Sequence, residues 1–490
     1  MPTSAFKDFV SRQDYDGQLV AEASQAAVAA RFAVPLEPLS PTLVQALTAK
    51  GLSRLYSHQA QALDAARAGG HVTLVTPTAS GKTLSGLLPV LESLIKDPTG
   101  HTLYLYPIKA LAQDQHGILQ AWLKDLEKAG GPAGLKAGIY DGDTAPSARS
   151  RIKRQPPALL LSNPDMLHLG LLPYHSGWGG FFSRLRYVVV DEAHSYRGVF
   201  GAHVGMVLRR LRRMARFYGA EPQFILQSAT IANPGGFAEK LIGAPATVIA
   251  DNGAPQGRRH VGLWNPLASP YREATDLFGQ FVAGGNKTIA FTKARKITEL
   301  MSMWTNQEHP EWKERVSSYR AGYLPEQRRA IEQRLFKGEL DGVIATSALE
   351  LGIDVGGLDA CVLVGFPGTM ISTRQRMGRV GRAGQDSRVL MVGLNDAMDQ
   401  YFMRHPEAFF GKATENALIP SENPVILAGH LASAAAELPL EPTDEAYFGP
   451  SYATHVQALW RQGKLRQGAE GKYHPALLRP SREVSMKNSA

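Results

Sequence analysis

What most constrains this chain is a recurring pattern of short, continuous apolar runs separated by longer stretches of helical periodicity. HVTLVTP (71–77), HTLYLYP (101–107), ALLLSNP (158–164), LRYVVVDE (185–192) and QFILQSAT (223–230) form one set. KTIAFT (287–292), DGVIATS (341–347), ACVLVGFP (360–367) and SRVLMVG (387–393) form a second. Runs of this kind read as strands buried on both faces, and strands that alternate with helices build parallel sheets covered by helices. Two sets predict an α/β chain with two doubly wound parallel-sheet domains, over 51–255 and 270–412. The Gly-, Pro- and polar-rich stretch 251–270 reads as the crossing between them. Residues 1–50 read as an N-terminal extension, helical apart from the Pro-broken AVPLEPLSP (33–41). Beyond about 411 the alternation stops, and 413–490 (NPVILAGHLASAAAEL, then YATHVQALWRQGKL) reads as a small, mainly helical segment.

A chain of 490 residues buries ample core without covalent staples. Its one cysteine, Cys361, excludes an internal disulfide and any Cys-rich zinc module within these residues. No leader-like apolar stretch opens the chain and no run approaches the ~20 apolar residues of a membrane span, so a cytoplasmic protein without membrane contact is expected. The net charge of +9 fits a polyanion partner but does not by itself demand one.

LVTPTASGKTL (74–84) follows a predicted strand and opens a predicted helix. Against the phosphate-loop pattern G-x-x-x-x-G-K-[ST], Gly81, Lys82 and Thr83 fit, and Thr76 stands where the first Gly would be. Gly81 lets backbone N–H groups approach phosphates at a helix N-terminus. Lys82 neutralises β/γ-phosphate charge, and the Thr83 hydroxyl is a Mg²⁺ ligand. A chance S-G-K-T turn is the alternative. YVVVDEAHSY (187–196) ends a strand in Asp191 and Glu192, at the edge where open α/β sheets bind ligands. Asp191 suits a Mg²⁺ shell and Glu192 the activation of a water. A strand-end acidic pair is usually a solvated loop; a preceding phosphate loop in the same sheet reverses that expectation. His194 reads either as a satisfied histidine or as a coupling contact. In QRMGRVGRAG, Arg376, Arg379 and Arg382 read either as a solvated helix face or as cations for a developing phosphate charge. The run VLRRLRRMAR (207–216) reads as a solvated helix face, with a nucleic-acid stripe as the alternative.

In order, these boxes resemble superfamily 2 helicases of the DExH type. LYSHQAQAL resembles the adenine-reading Gln motif (Tyr56, Gln59), and TPTASGKT resembles motif I, which tolerates Thr at the first Gly. YPIKALAQDQ (106–115) resembles motif Ia, SNPDMLH (162–168) motif Ib/Ic, DEAH (191–194) motif II and SAT (228–230) motif III. IAFTKAR (289–295) is similar to motif IV, ATSALELGIDV (345–355) to motif V and QRMGRVGRAG (375–384) to motif VI. LYSHQ, YPIKALAQDQ, YRAGY (319–323) and GHLASAAAELPL (429–440) narrow the resemblance to DNA helicases of the mitomycin repair factor A type, related to fungal RecQ-like repair helicases.

The resemblance implies two tandem RecA-like domains, a winged-helix-like C-terminal segment and ATP with Mg²⁺ as cofactors. It also implies 3′→5′ movement on single-stranded or tailed duplex DNA in DNA repair. Thr76, Thr78, Ala79, Ser80, Gly81, Lys82 and Thr83, with Tyr56, Gln59, Asp354 and Gln375, are the expected ATP contacts, and Thr83 and Asp191 the metal ligands. Lys82, Asp191, Glu192, Arg379 and Arg382 are the expected catalytic set, the arginines acting when the two domains close on one nucleotide. His194, Ser228 and Thr230 are expected to couple hydrolysis to movement. Lys109, Asn163, Asp165, Thr292, Lys293, Arg320 and Thr346 are expected to hold nucleic-acid phosphates without reading bases. A monomer is the expected state. The group carries a C-terminal four-cysteine zinc domain that Cys361 alone cannot supply. The expectation is therefore a helicase core with the beginning of a winged-helix-like region, truncated or naturally shortened. An RNA helicase, or an ATPase that remodels nucleic acid without unwinding, stays open as an alternative.

Overall fold

A computed structural model describes residues 5–320, 322–350 and 357–486, apart from the side chains of Pro325 and Ala383. Two compact units result: one of 32–76, 81–252 and 416–490, the other of 1–31, 77–80 and 253–415.

The first unit is built on a seven-stranded parallel sheet in the order Thr247–Ile249, Val72–Val75, Gln223–Ser228, Leu185–Val190, His101–Leu105, Leu159–Ser162, Ala137–Ile139. All five apolar runs of the first set are strands here. Val72–Val75 and Leu159–Ser162 are buried along their whole length, because helices cover both faces. The helix Lys109–Lys128 shows the complementary period, burying Leu111, Leu119, Trp122, Leu123 and Leu126 along one stripe. Ala137–Ile139 and Thr247–Ile249 escaped the sequence reading because three residues at a sheet edge carry no recognisable run.

The second unit also has seven strands, ordered Leu19–Gln25, Arg259–Trp264, Ser387–Val392, Ala360–Val364, Thr288–Phe291, Gly342–Ala345, Val316–Tyr319. Only Leu19–Gln25 is antiparallel to its neighbour. Two expectations are corrected here. The segment read as a crossing holds the strand Arg259–Trp264, which is parallel to Ser387–Val392. Its Gly and Pro residues flank rather than interrupt it. Among the described residues of 1–50, helix is confined to Lys7–Val10 and Pro41–Ala49, whereas Leu19–Gln25 forms the edge strand of this sheet and Phe6 and Phe9 are buried in its core. Its exposed, polar-rich sequence (LVAEASQ) suits an edge, and an antiparallel edge strand needs no apolar run.

The C-terminal part comprises the helices Pro424–Glu437 and Tyr452–Arg461 and a short antiparallel hairpin, Leu465–Gln467 with Tyr473–Pro475. The hairpin, too short and polar to read from sequence, is the wing of a winged-helix arrangement.

This segment explains VLRRLRRMAR, and neither a solvated face nor a DNA stripe is what the structure contains. In the helix Gly198–Phe217, Arg210 is 1% exposed and Arg213 7%. Arg210 pairs with Glu437 through both its Nε (3.1 Å to Oε2) and Nη2. Arg213 pairs with Asp444 at 2.6 Å and donates to the carbonyls of Ala434, Leu438 and Pro439. The arginines are thus buried against the C-terminal helix pair. Each reaches a carboxylate or carbonyls that a sequence scan could not foresee, being more than 200 residues away.

Arg210 Nη1 also contacts Nδ1 of His168 (2.8 Å) and of His430 (3.1 Å). A guanidinium only donates, so both Nδ1 atoms are acceptors and both imidazoles neutral. His430 Nε2 then donates to His203 Nδ1 at 3.0 Å. Burial and the Arg210 charge push His168 down to about 3, and push His430 well below its usual value. The folded unit therefore binds fewer protons than the unfolded chain below the ordinary histidine value of 6.5. Stability is complete above that pH and declines as the pH falls from there toward 3. Urea midpoints at pH 7.5 and at pH 5 should differ, and replacing His168 and His430 by Leu should flatten that difference. An equal acid sensitivity in the His-free variant would contradict this.

Candidate functional site

The loop after Val72–Val75 turns sharply. Ala79 has φ +59° and Gly81 φ +82°, and Gly81 is the N-cap of the helix Lys82–Lys96. A non-glycine residue in the left-handed region costs about 1–3 kcal/mol and is typical of functional turns. The same region is occupied by Glu192 (φ +46°), immediately after the strand Leu185–Val190 and Asp191.

Lys82 binds the first sheet's loops together. Its Nζ donates to the carbonyls of Thr76 and Ser228, each at 2.9 Å. Motifs I and III thus meet at one ammonium. Gln227, which the sequence reading did not single out, donates Nε2 to the Lys82 carbonyl at 2.7 Å. A Cβ on Gly86 would lie 2.2 Å from that amide, so the small residue makes room for it. Motifs II and III also touch: the Ala229 N–H donates to His194 Nδ1 at 3.1 Å, which fixes Nδ1 as the acceptor. Ser228 Oγ donates to the carbonyl of Ala229 at 2.7 Å, and Thr230 is half-buried beside it.

Gln59 lies over the same loop. Its Oε1 accepts from the Tyr56 N–H at 2.9 Å and its Nε2 donates to the Gly81 carbonyl at 3.3 Å. Phe32 stacks on Tyr56 with ring centroids 5.4 Å apart, and the Arg54 guanidinium lies 3.9 Å from the Phe32 ring centre.

The Glu192 N–H donates to Asp191 Oδ1 at 2.8 Å, and the Asp191 N–H to the Leu105 carbonyl at 3.0 Å. Burial and the neighbouring Glu192 charge hold the Asp191 carboxyl well above the usual carboxylate range, with Lys82 opposing. Glu192 is 8% exposed, and its Oε2 has no hydrogen-bond partner. Ser80 is buried, Thr78 and Thr83 half-buried, and Ala79 exposed.

In the second unit the helix Met370–Met377 carries Gln375 and Arg376, both buried. Arg376 Nε pairs with Glu350 Oε2 at 2.9 Å, and Arg379, 2% exposed, donates to the Glu350 backbone carbonyl. Glu350 lies in the motif V stretch but was not picked out, because its partner is 26 residues away. Arg382 is half-buried. Asp354 lies outside the described residues.

The expected nucleic-acid residues are unequal. Lys109 and Lys293 are exposed, paired with Asp143 (2.6 Å) and Asp396 (2.9 Å) respectively. Arg320 pairs with Glu299 at 2.6 Å. Asn163 is a helix N-cap, accepting from the Met166 N–H at 2.9 Å, with Asp165 in the same first turn. Thr346 is an N-cap too. Thr292 is 1% exposed and its hydroxyl sits 2.7 Å from that of Thr298, so of the motif IV pair only Lys293 presents a side chain to solvent.

Two parallel sheets with these motifs on their connecting loops define a tandem RecA-like chain. Residues 56–235 match the DEAD/DEAH box helicase family model, 273–384 the helicase conserved C-terminal domain, and 419–489 the winged helix domain of ATP-dependent helicase HRQ1. The chain is 39% identical over 465 residues to the ATP-dependent helicase YprA of Bacillus subtilis, an alignment covering 93% of this chain and 61% of YprA. It is 36% identical over 464 residues to the ATP-dependent helicase hrq1 of Schizosaccharomyces pombe, covering 90% of this chain and 43% of hrq1. The crystal structure of the DUF1998 helicase MrfA bound to DNA and AMPPNP superposes with a TM-score of 0.90 at 38% identity, covering 98% of this chain and 68% of that one. The chain belongs to the DEAD/DEAH-box helicases, in the branch of MrfA and YprA. It spans roughly three-fifths of YprA and less than half of hrq1.

Among the described residues no helix is long and apolar enough to cross a membrane, and no cluster of three or more His, Cys, Asp or Glu side chains is placed to hold a metal ion.

Proposed function

We propose that this chain is an ATP-driven DNA helicase or translocase that steps along single-stranded DNA and serves DNA repair in the cytoplasm, as a monomer. The observation that carries the reading is Lys82 Nζ held between the carbonyls of Thr76 and Ser228, which ties the phosphate loop to the motif III strand. A change at the phosphates is felt directly at Ser228 and, through Ala229, at His194.

The loop fits a triphosphate: Gly81 at φ +82° and Ala79 at φ +59° bend the backbone around the N-terminus of a fifteen-residue helix. Thr76, Thr78, Ala79, Ser80, Lys82 and Thr83 would line it, with Tyr56, Gln59, Asp354 and Gln375 completing the ATP contacts. Mg²⁺ would be held by the Thr83 hydroxyl and the Asp191 carboxylate, an all-oxygen donor set, and supplies neutralisation of phosphate charge when bound. Glu192 orients the attacking water and takes its proton at Oε2, which makes no hydrogen bond and lies 3.6 Å from His194 Nδ1. Arg379 and Arg382 stabilise the charge of the transition state.

The crystal structure of MrfA bound to DNA favours DNA over RNA as the strand gripped. Lys109, Lys293 and Arg320 would hold its phosphates, with Asn163, Asp165 and Thr346 shaping the loops that present backbone N–H groups; Thr292 would contribute backbone only. Movement is 3′→5′ in this reading.

Two assays on the same preparation test it. ATP hydrolysis should rise with single-stranded DNA more than with RNA, and a 3′-tailed duplex should be opened. Hydrolysis without strand separation would leave a remodelling ATPase, and stronger stimulation by RNA would replace the DNA reading.

A further inference from the structure

Within the first unit, sheet register brings two of the loops described above close together. Leu105 pairs with Val190 on one side and with Ser162 on the other. Asp191 and Asn163 therefore leave the C-terminal ends of the two strands that flank His101–Leu105, about 10 Å apart at two inter-strand spacings. One loop continues through Glu192 into the turn Ala193–Ser195, and the other reaches Asp165 in the first turn of its helix.

Tyr196 closes the first of these loops. It is 0% exposed, and its hydroxyl makes no hydrogen bond. Its N–H donates to the Ala193 carbonyl at 2.9 Å, and its ring lies beside Phe200 with centroids 5.8 Å apart. A Cβ on Gly201 would lie 2.3 Å from the Tyr196 carbonyl oxygen, so the helix Gly198–Phe217 presses on this backbone and holds it in place. Phenylalanine would fill the same space and spare the cost of burying an unpaired hydroxyl. Packing accounts for the ring but not for the oxygen.

The oxygen sits among carboxylates of both loops. Burial first, then the charges of Asp191, Asp165 and Glu192, push the phenol well above its usual value, so it keeps its proton and is a donor. Glu192 Oε2 is likewise buried and makes no hydrogen bond. The phenol has one proton and can serve one loop at a time. We infer that Tyr196 is a positioning residue that couples strand binding to hydrolysis: its O–H links the Asp165 loop to the acidic box, and the hydrogen bond it gives to Glu192 orients that carboxylate for the attacking water. Movement of the Asp165 loop as it grips phosphates changes which acceptor the phenol serves. The inference rests on the ATPase reading above.

The test uses the full chain with Tyr196→Phe, which removes only the unpaired hydroxyl; Asp165→Asn; the double variant; and Phe200→Leu, which trims the neighbouring ring and keeps the hydroxyl. Hydrolysis is measured with and without saturating single-stranded DNA. In Tyr196→Phe the ratio of the two rates should fall about tenfold, the loss of one hydrogen bond to a charged group, with KM for ATP and Kd for the strand within about twofold. Its thermal midpoint should equal or exceed that of wild type. The double variant should show the same ratio as Tyr196→Phe, because both changes cut one link. Phe200→Leu should keep the wild-type ratio. An unchanged ratio in Tyr196→Phe, a proportional fall of both rates, a lowered thermal midpoint, multiplicative losses in the double, or an equal loss in Phe200→Leu would each overturn the coupling role. A wild-type chain that does not hydrolyse ATP, or that DNA does not stimulate, would refute the ATPase reading itself, a result distinct from a stimulated wild type with an unaltered variant.

Discussion

Glu192→Gln is expected to lower the rate of ATP hydrolysis about 10²- to 10⁴-fold while a non-hydrolysable ATP analogue still binds within about threefold of wild type. Glu192 is 8% exposed, its backbone lies in the left-handed region at φ +46°, and Oε2 has no hydrogen-bond partner. Glutamine fills the same volume without a carboxylate's capacity to take the proton of the attacking water in the proposed mechanism. Phosphate release measured under saturating single-stranded DNA checks the rate, and fluorescent-analogue titration checks the binding. Lys82→Ala should abolish both readouts, since the proposed site draws its phosphate-neutralising charge from Lys82, which also joins Thr76 to Ser228. Hydrolysis surviving in Glu192→Gln would remove Glu192 from the chemistry and leave the proposed site without its base.

Glu437→Ala is expected to produce the largest loss of stability, about 3–5 kcal/mol, because it strands a buried guanidinium rather than deleting a surface contact. The Arg210 and Glu437 side chains are 0% and 2% exposed. With the carboxylate gone, Arg210 faces only His168 and His430, whose nitrogens already accept from it. Urea denaturation at pH 7.5 followed by circular dichroism measures the loss. The paired change Arg210→Met with Glu437→Leu should recover at least half of it, as buried ion pairs replaced by apolar residues generally do. A Glu437→Ala variant within about 0.5 kcal/mol of wild type would show that water reaches the guanidinium and that the C-terminal helices do not seal it.

The two effects fall in different places. The first resides on loops at the C-terminal edge of the sheet, where Ala79, Gly81 and Glu192 take left-handed backbone. The second lies where the helix Gly198–Phe217 meets the C-terminal helices, and concerns only whether that unit holds together. A variant that changes one should leave the other within error, since the groups share no partner.

Much of this protein could be read before any coordinates. The apolar runs fixed nine of the sheet strands, since strands buried on both faces need uninterrupted side-chain hydrophobicity. Thr76 to Thr83 and Asp191–Glu192 read as a phosphate loop and an acidic box because the pattern is local: glycine for a turn, lysine for charge, carboxylate at a strand end. Composition and the lone Cys361 narrowed the field by exclusion. Only tertiary structure decided the rest, and one physical reason covers it: burial and hydrogen bonding depend on partners that the chain brings from far away. Leu19–Gln25 became a strand because Arg259–Trp264 offered it an edge. Arg210 and Arg213 went inside because Glu437 and Asp444 met them there. Asn233 gave up its own helix cap because the backbone of Ala417 was within reach. Sequence specifies which groups must be satisfied; the fold decides what satisfies them.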